Sequence, residues 1–272
     1  KEVGDITAFL PFMTRSGSKL PENIEIQDIM DEKGFFDKIK AKTYMVTKKG
    51  LDESKYTEYF TKKTEVLTYE RLGGFFRQIK KAATKNNRRK YIFAYWPDFD
   101  MVSHEKGIKS KELREHFYEL DKEISGFLKR MEGTDTTVII TADHGLIDFK
   151  KIELENYPKI EECLSMPISG EARAAYCYVH PSKKSQFGRE VKKSLRKYCH
   201  LYKSEDLVKK GFYGLYKPNK KIFDRIGDYV LVMKDNYVLK DWVAGEDDDD
   251  FVAHHGGVSS QEMYVPLVVA KC

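Results

Sequence analysis

Thr137-Val138-Ile139-Ile140-Thr141-Ala142-Asp143-His144-Gly145 is the stretch whose reading decides the fold. Its centre is apolar without alternation, the pattern of a strand covered on both faces of a parallel sheet. It then hands the chain to a carboxylate, an imidazole and a glycine. Just upstream, Ser110 can cap a long helix in which Leu113, Phe117, Leu120, Ile124, Leu128 and Met131 form an apolar stripe, and Gly133 ends it. Further back, Tyr91-Ile92-Phe93-Ala94-Tyr95 reads as another strand. Before it lies a helix within Tyr69 to Ala82, where Leu72, Phe75, Phe76 and Ile79 share one face. Thr43-Tyr44-Met45-Val46-Thr47 is an earlier strand ended by Lys48-Lys49-Gly50, and an amphipathic piece is expected around Ile29 to Ile39. Downstream, a strand at Ala174 to Val179 precedes a helix with Phe187, Val191 and Leu195 on one face. Tyr229 to Met233 and Val265 to Val269 are further strands, with Pro266 marking a strand start or an edge. Strands alternating with helices predict an α/β fold with a largely parallel central sheet and helices on both faces. No internal repeat or Pro/Gly/Ser-rich linker divides the chain, so the 272 residues are read as a single domain.

Composition narrows the class. A hydrophobic share of 41%, an aromatic share of 13% and a mean hydropathy of −0.58 describe a globular chain and exclude a disordered or collagenous one. No apolar run approaches the roughly 18 residues that span a bilayer, so no membrane segment is expected. The 48 Lys and Arg against 43 Asp and Glu leave +5, too mild a balance to call for specific nucleic-acid binding, while small anionic substrates fit it. The basic run Lys85-Asn86-Asn87-Arg88-Arg89-Lys90 reads as a solvated loop between a helix and a strand. Cys163, Cys177, Cys199 and Cys272 are scattered with no CxxC pair, which predicts reduced structural thiols and a cytoplasmic protein. The chain opens Lys1-Glu2-Val3-Gly4 without an initiator Met or a signal-like segment, so position 1 is not expected to be the native start.

Phosphate-cradling signatures are absent: there is no GxGxxG, no P-loop and no GxSxG elbow. Histidines and aspartates fall instead around strand ends. Asp100 and His104 follow the strand at Tyr91 to Tyr95, Asp143 and His144 follow Thr137 to Thr141, and His254-His255-Gly256-Gly257 precedes the final strand. Open parallel sheets bind ligands outside the carboxyl ends of their strands. Carboxylate oxygen with neutral imidazole nitrogen is a donor mixture that suits zinc or manganese. The Asp-x-x-x-His spacing of Asp100 and His104 lets both side chains face one point from a single helical turn. Taken singly, each cluster is more often an ordinary turn, helix-end pair or polar loop, and it is their joint occurrence at the strand ends of one sheet that leaves both readings open.

Together, Tyr95-Trp96-Pro97-Asp98-Phe99-Asp100-Met101-Val102-Ser103-His104, Thr141-Ala142-Asp143-His144-Gly145 and His255-Gly256-Gly257-Val258-Ser259-Ser260-Gln261-Glu262-Met263 resemble the alkaline phosphatase superfamily. The branch they look most like is the type I phosphodiesterase/nucleotide pyrophosphatase group. Gly170-Glu171-Ala172-Arg173, Gly211-Phe212-Tyr213-Gly214 and Arg225-Ile226-Gly227-Asp228 extend the likeness over nearly the whole chain. The resemblance implies an alkaline-phosphatase-like fold and two divalent metal ions, zinc above all, with manganese as the other choice. Asp100, His104 and His255 would hold one ion, and Asp143 and His144 would help hold the second. His255 is preferred to His254 because it directly precedes the Gly-Gly pair. The implied chemistry is hydrolysis of phosphodiester or pyrophosphate bonds in a nucleotide or other small phosphate ester. A Thr or Ser hydroxyl attacks phosphorus, and water then releases the product.

In the family pattern, the strand and nucleophile segment lie upstream of Lys1. Thr14, Ser16 and Ser18 correspond to the stretch after it, so the nucleophile is expected outside these residues. The rival readings are a phosphomonoesterase or phosphomutase of the same superfamily, and a non-catalytic metal-binding interaction protein. Sulfatase chemistry is disfavoured by the lack of a Cys-x-Pro-x-Arg signature. Among smaller features, Glu246-Asp247-Asp248-Asp249-Asp250 reads as a solvated loop, Arg173 and Arg225 as packing or salt-bridge residues, and His116, His180 and His200 as surface or ordinary hydrogen-bonding histidines.

Overall fold

The β-branched and aromatic run around Val46 forms β1 (Lys42–Lys48), which pairs in parallel with β2 (Glu65–Tyr69) on one side and β3 (Lys90–Ala94) on the other. These strands belong to a computed structural model that describes residues 6–8, 13–15, 17–30, 34–243 and 250–272. The chain divides into two compact units: Lys1–Val102 with Lys109–Thr141 and Leu267–Cys272, and Ser103–Ile108 with Ala142–Pro266.

In the first unit, α1 (Leu72–Thr84) returns the chain from β2 to β3, and α2 (Asp98–Lys106) begins soon after β3 and runs on into the second unit. The long α3 (Lys111–Met131) starts at Ser110, whose hydroxyl accepts from the Leu113 N–H at 3.1 Å as a helix cap should. Helices α1 and α3 bring Phe75, Phe76, Phe127 and Met131 onto Val46 of β1, with Ile92 and Ala94 of β3 packed alongside. Phe127 takes a core place that the sequence reading assigned to Phe117. Phe117 lies at the edge of the 3.6-residue stripe and is exposed, its ring edge-on to Phe99.

The decisive apolar run forms β4 (Thr137–Thr141), paired antiparallel with the C-terminal strand Leu267–Lys271. That strand begins just after Pro266, in keeping with the reading of Pro266 as a strand start. One face of β4 places Val138 against the α1/α3 core. The other carries Ile139 at 63% exposure and its cross-strand partner Val269 at 61%, so the two-sided cover that the apolar run predicts is one-sided among the described residues.

The second unit holds β5 (Ile147–Asp148), β6 (Lys150–Glu153), β7 (Ser169–Glu171), β8 (Ala174–Cys177), α4 (Lys184–Ser194), β9 (Cys199–Lys203), β10 (Tyr229–Met233), β11 (Tyr237–Lys240), β12 (Ala253–His254) and α5 (Ser260–Met263). Its main sheet is antiparallel in the order β9-β10-β8-β7, while β6 pairs in parallel with β11 and β5 antiparallel with β12. Leu231 and Met233 of β10 face a core with Phe187, Val191 and Leu195, while Val230 and Val232 face Leu207 and Tyr213 on the opposite side. Cys163, Cys177 and Cys199 are buried free thiols, and burial pushes the Cys199 thiol up to about 11, so it is protonated and inert at neutral pH. Parallel strands, helices and a mixed order confirm the α/β class. No helix among the described residues is long and apolar enough to cross a membrane.

Candidate functional site

The Asp-x-x-x-His spacing falls on α2, which places Asp100 one turn before His104. Asp98, at the first position of the helix, is engaged by the Lys48 ammonium at 2.5 Å. His104, in the second unit, is buried, and its Nδ1 lies 2.8 Å from the Ala253 carbonyl oxygen. A carbonyl can only accept, so Nδ1 is the donor of this bond. The Val252 N–H returns a bond to the His104 carbonyl at 2.8 Å, tying the end of α2 to the start of β12.

Beyond β12 the chain turns at Gly256, whose φ of +97° is costly for any residue with a Cβ and whose Cβ would stand 2.5 Å from Cβ of Glu171. This turn brings the His255 ring onto that of His144, with centroids 3.7 Å apart and planes 19° from parallel. His104 lies against the same ring, centroid to centroid 5.1 Å. His144 directs Nδ1 to the Gly145 carbonyl oxygen at 3.2 Å, leaving Nε2 3.7 Å from the Asp143 carboxylate. Asp143, His144, Glu171, His255 and Glu262 line an open cleft of about 360 Å³.

The electrostatics follow from this crowding. Burial, and then the imidazoles of His144, His254 and His104, press the pKa of His255 down to about 4, with Asp143 opposing weakly. His255 is therefore neutral at physiological pH, the form in which imidazole donates to a metal. Glu171 keeps exposed surface, yet the atoms packed around its carboxyl raise its pKa, against the pull of His144 and His104. Burial alone would raise Glu262 as well, but the Arg173 guanidinium, the Ser259 hydroxyl and the Gly257 N–H outweigh it and hold this carboxyl low. Imidazole nitrogens, that of His255 neutral, with an adjacent carboxylate at an open cleft fit a borderline divalent ion such as zinc or manganese.

The structure thus brings His104, Asp143, His144 and His255 together within the second unit, while Asp100 sits on α2 in the first. His255 lines the open cleft, and His254 does not line it. His254 lies in β12 and borders a smaller cavity with Phe149, Lys151 and Phe251, its Nδ1 accepting from the His255 N–H at 3.0 Å. Arg173 is a salt-bridge residue, as read, and His116 is structural: its Nε2 accepts from the Trp96 indole at 3.1 Å. The run Glu246 to Asp249 and Ser16 lie outside the described residues. Two acids of the cleft, Glu171 and Glu262, drew no role from sequence reasoning. For Glu262 a signal was present, because Ser259-x-x-Glu262 is a capping-box pattern, and both of its reciprocal bonds form at α5.

Residues 12–257 match the family model described as Type I phosphodiesterase / nucleotide pyrophosphatase. Among solved structures, murine ectonucleotide pyrophosphatase / phosphodiesterase 5 is similar at 16% identity with a TM-score of 0.61, over 84% of this chain and 60% of that one. An inactive variant of the murine protein, in complex with AMP, is similar at 17% identity and TM-score 0.59 over the same shares. Phosphonoacetate hydrolase from Sinorhizobium meliloti 1021, in complex with phosphonoformate, shares 17% identity with a TM-score of 0.60, over 94% of this chain and 69% of that one. The chain thus spans about 60% of the length of the murine relative. Among curated protein sequences, none matches.

Proposed function

The chain belongs to the type I phosphodiesterase / nucleotide pyrophosphatase family, and from that premise we propose that it is a metal-dependent hydrolase of phosphodiester or pyrophosphate bonds. The observation that carries this reading is the stack of His144 on a neutral His255 beside Asp143, at the mouth of an open cleft. In this proposal His104 and His255 hold one divalent ion, and Asp143 and His144 contribute to a second, zinc or manganese in each case. When bound, such ions supply Lewis acidity toward phosphoryl oxygens and lower the pKa of the attacking oxygen.

The residues of this chain do the rest of the work. The Ala253 carbonyl holds the His104 ring through Nδ1, the kind of backbone contact that orients a metal-ligating imidazole. Crowding keeps His255 unprotonated, so it costs no proton to use it. The attacking hydroxyl is a Thr or Ser from a segment that precedes Lys1 in the family pattern. Its oxygen bonds to phosphorus as the leaving alcohol departs, and water then cleaves that phosphoester. The apolar face left open by Ile139, Leu267 and Val269 supports a further strand of the same polypeptide covering the first unit. The AMP complex of the murine relative supports a nucleotide or similar small phosphate ester as substrate, and the buried reduced thiols support a cytoplasmic setting.

Elemental analysis and calorimetric titration with Zn²⁺ test the reading. Wild type is expected to bind zinc or manganese, and His255→Ala to lose it; unchanged metal content in His255→Ala overturns the assignment. A longer chain carrying the upstream hydroxyl is expected to hydrolyse a chromogenic phosphodiester in a metal-dependent way, and the 272 residues alone to do so poorly.

A further inference from the structure

Arg173 and Glu262 are 0% and 2% exposed, a charged pair completely removed from water beside the cleft. The guanidinium addresses both carboxylate oxygens, Nε to Oε1 at 2.7 Å and Nη2 to Oε2 at 2.8 Å. Its remaining N–H groups donate to backbone carbonyls, Nη1 to Tyr237 at 2.5 Å and Nη2 to Asp235 at 3.1 Å. On its other side, Oε1 accepts from the Gly257 N–H at 2.8 Å, and Oε2 accepts from the Ser259 hydroxyl at 2.6 Å. The carbonyl of the same Glu262 accepts from the Gly145 N–H at 2.8 Å. One residue therefore grips both histidine loops. Its side chain holds the turn two residues after His255, and its backbone holds the residue directly after His144. Gly257 permits this grip, since a Cβ there would come within 2.8 Å of Arg173 Nε and of both Glu262 carboxylate oxygens.

A buried ion pair is a poor stabiliser in comparison with apolar residues of the same volume, because desolvation cancels much of the attraction. What it supplies here is direction: the Arg173 guanidinium ties Glu262 to the Asp235 and Tyr237 carbonyls, while the Glu262 carboxylate takes the Gly257 N–H and the Ser259 hydroxyl and its backbone carbonyl takes the Gly145 N–H. We infer that Arg173 and Glu262 form a positioning bracket that sets His255 and His144 in register, each as a ligand to its own one of the two metal ions, an inference that rests on the metal-site reading above.

The test uses the whole chain stripped of metal and titrated with Zn²⁺ alone. Glu262→Gln and the charge-neutral double variant Arg173→Met with Glu262→Met are compared with Phe187→Leu, a core change in the same unit that touches no loop of the site. Both bracket variants are expected to bind zinc about 10- to 100-fold more weakly, the range for residues that orient ligands from behind. Phe187→Leu lowers the melting temperature and leaves zinc affinity as it is. The double variant regains thermal stability relative to Glu262→Gln without regaining affinity, a separation that a purely structural role does not produce. The visible spectrum of the Co²⁺-loaded protein is expected to shift in the bracket variants and not in Phe187→Leu. Wild-type zinc affinity in the double variant overturns the bracket. Should both bracket variants fail to fold, Ser259→Ala, which removes one donor on Oε2, decides instead: a threefold or greater weakening supports the bracket and an unchanged affinity overturns it. Wild-type affinity in the bracket variants together with loss of zinc in His255→Ala sinks the bracket alone, whereas a wild type that binds no zinc sinks the reading beneath it.

Discussion

β4 and β10 carry nearly the same pattern, Thr-Val-Ile-Ile-Thr and Tyr-Val-Leu-Val-Met, five residues with an unbroken apolar centre. In β10 that pattern is matched on both sides, with Leu231 and Met233 in one core and Val230 and Val232 in another. In β4 only one side is matched, and Ile139 opposite it stands open with Leu267 and Val269. The lesson is that an apolar strand states how much cover it needs and not whether the surrounding chain supplies it. In the second unit, two layers of the same unit press on β10. In the first, α1 and α3 both lie on the same side of β4.

The largest effect that sharpens this contrast is expected in the second unit's polar wall. Arg173→Met leaves the Glu262 carboxylate buried without its partner and should cost about 4 kcal/mol, read by urea unfolding. Leu231→Ala comes next. It opens a cavity in the doubly covered sheet and should cost about 3 kcal/mol. The two tryptophans lie one in each unit, so Trp96→Phe leaves Trp242 to report the second unit, and Trp242→Phe leaves Trp96 to report the first. A loss of stability seen equally by both reporters breaks the separation between the two regions.

A pH dependence of intermediate size follows from His255. Its pKa is about 6.5 in the unfolded chain and about 4 in the fold, so between those values the unfolded state binds the extra proton. Stability of the metal-free protein should therefore decline as pH falls from 6.5 toward 4, and His255→Gln should flatten that stretch in urea titrations run with a chelator. A decline of the same steepness in His255→Gln assigns the effect to other groups. The smallest effect belongs to the open face, where Ile139→Thr should change stability by no more than about 0.5 kcal/mol. A cost as large as that of Leu231→Ala would show that β4 is covered after all.

Much of the fold was legible in local pattern. Tyr229 to Met233 forms a strand over the very residues its composition suggests, and Ser110 caps α3 because a short hydroxyl before an apolar stripe has few other uses. The strands β2 and β9 escaped notice because Glu65-Val66-Leu67-Thr68-Tyr69 and Cys199-His200-Leu201-Tyr202-Lys203 mix charge with apolar residues, and only their neighbours make them strands. Of the amphipathic piece expected from Ile29 to Ile39, the described residues hold the last position of a short helix at Ile26–Ile29 and a separate turn at Phe35–Lys38 preceded by Gly34. At the site, His104, Asp143, His144 and His255 stood out because they sit at strand ends. Glu171 and Glu262 did not, since an acid on a short strand or in a capping box looks like any other until a distant residue meets it.

What the sequence determined by itself is the chemistry available: which side chains can bind a cation, their place at strand ends, and membership of a family recognisable from joined motifs. These depend on residue type and local periodicity, which act over one or two turns of chain. Tertiary structure alone decided that His255 stacks on His144, that it is neutral, and that Arg173 reaches across 89 positions to hold the residue gripping both loops. Distance in space sets desolvation and hydrogen bonding, and distance along the chain carries no record of either.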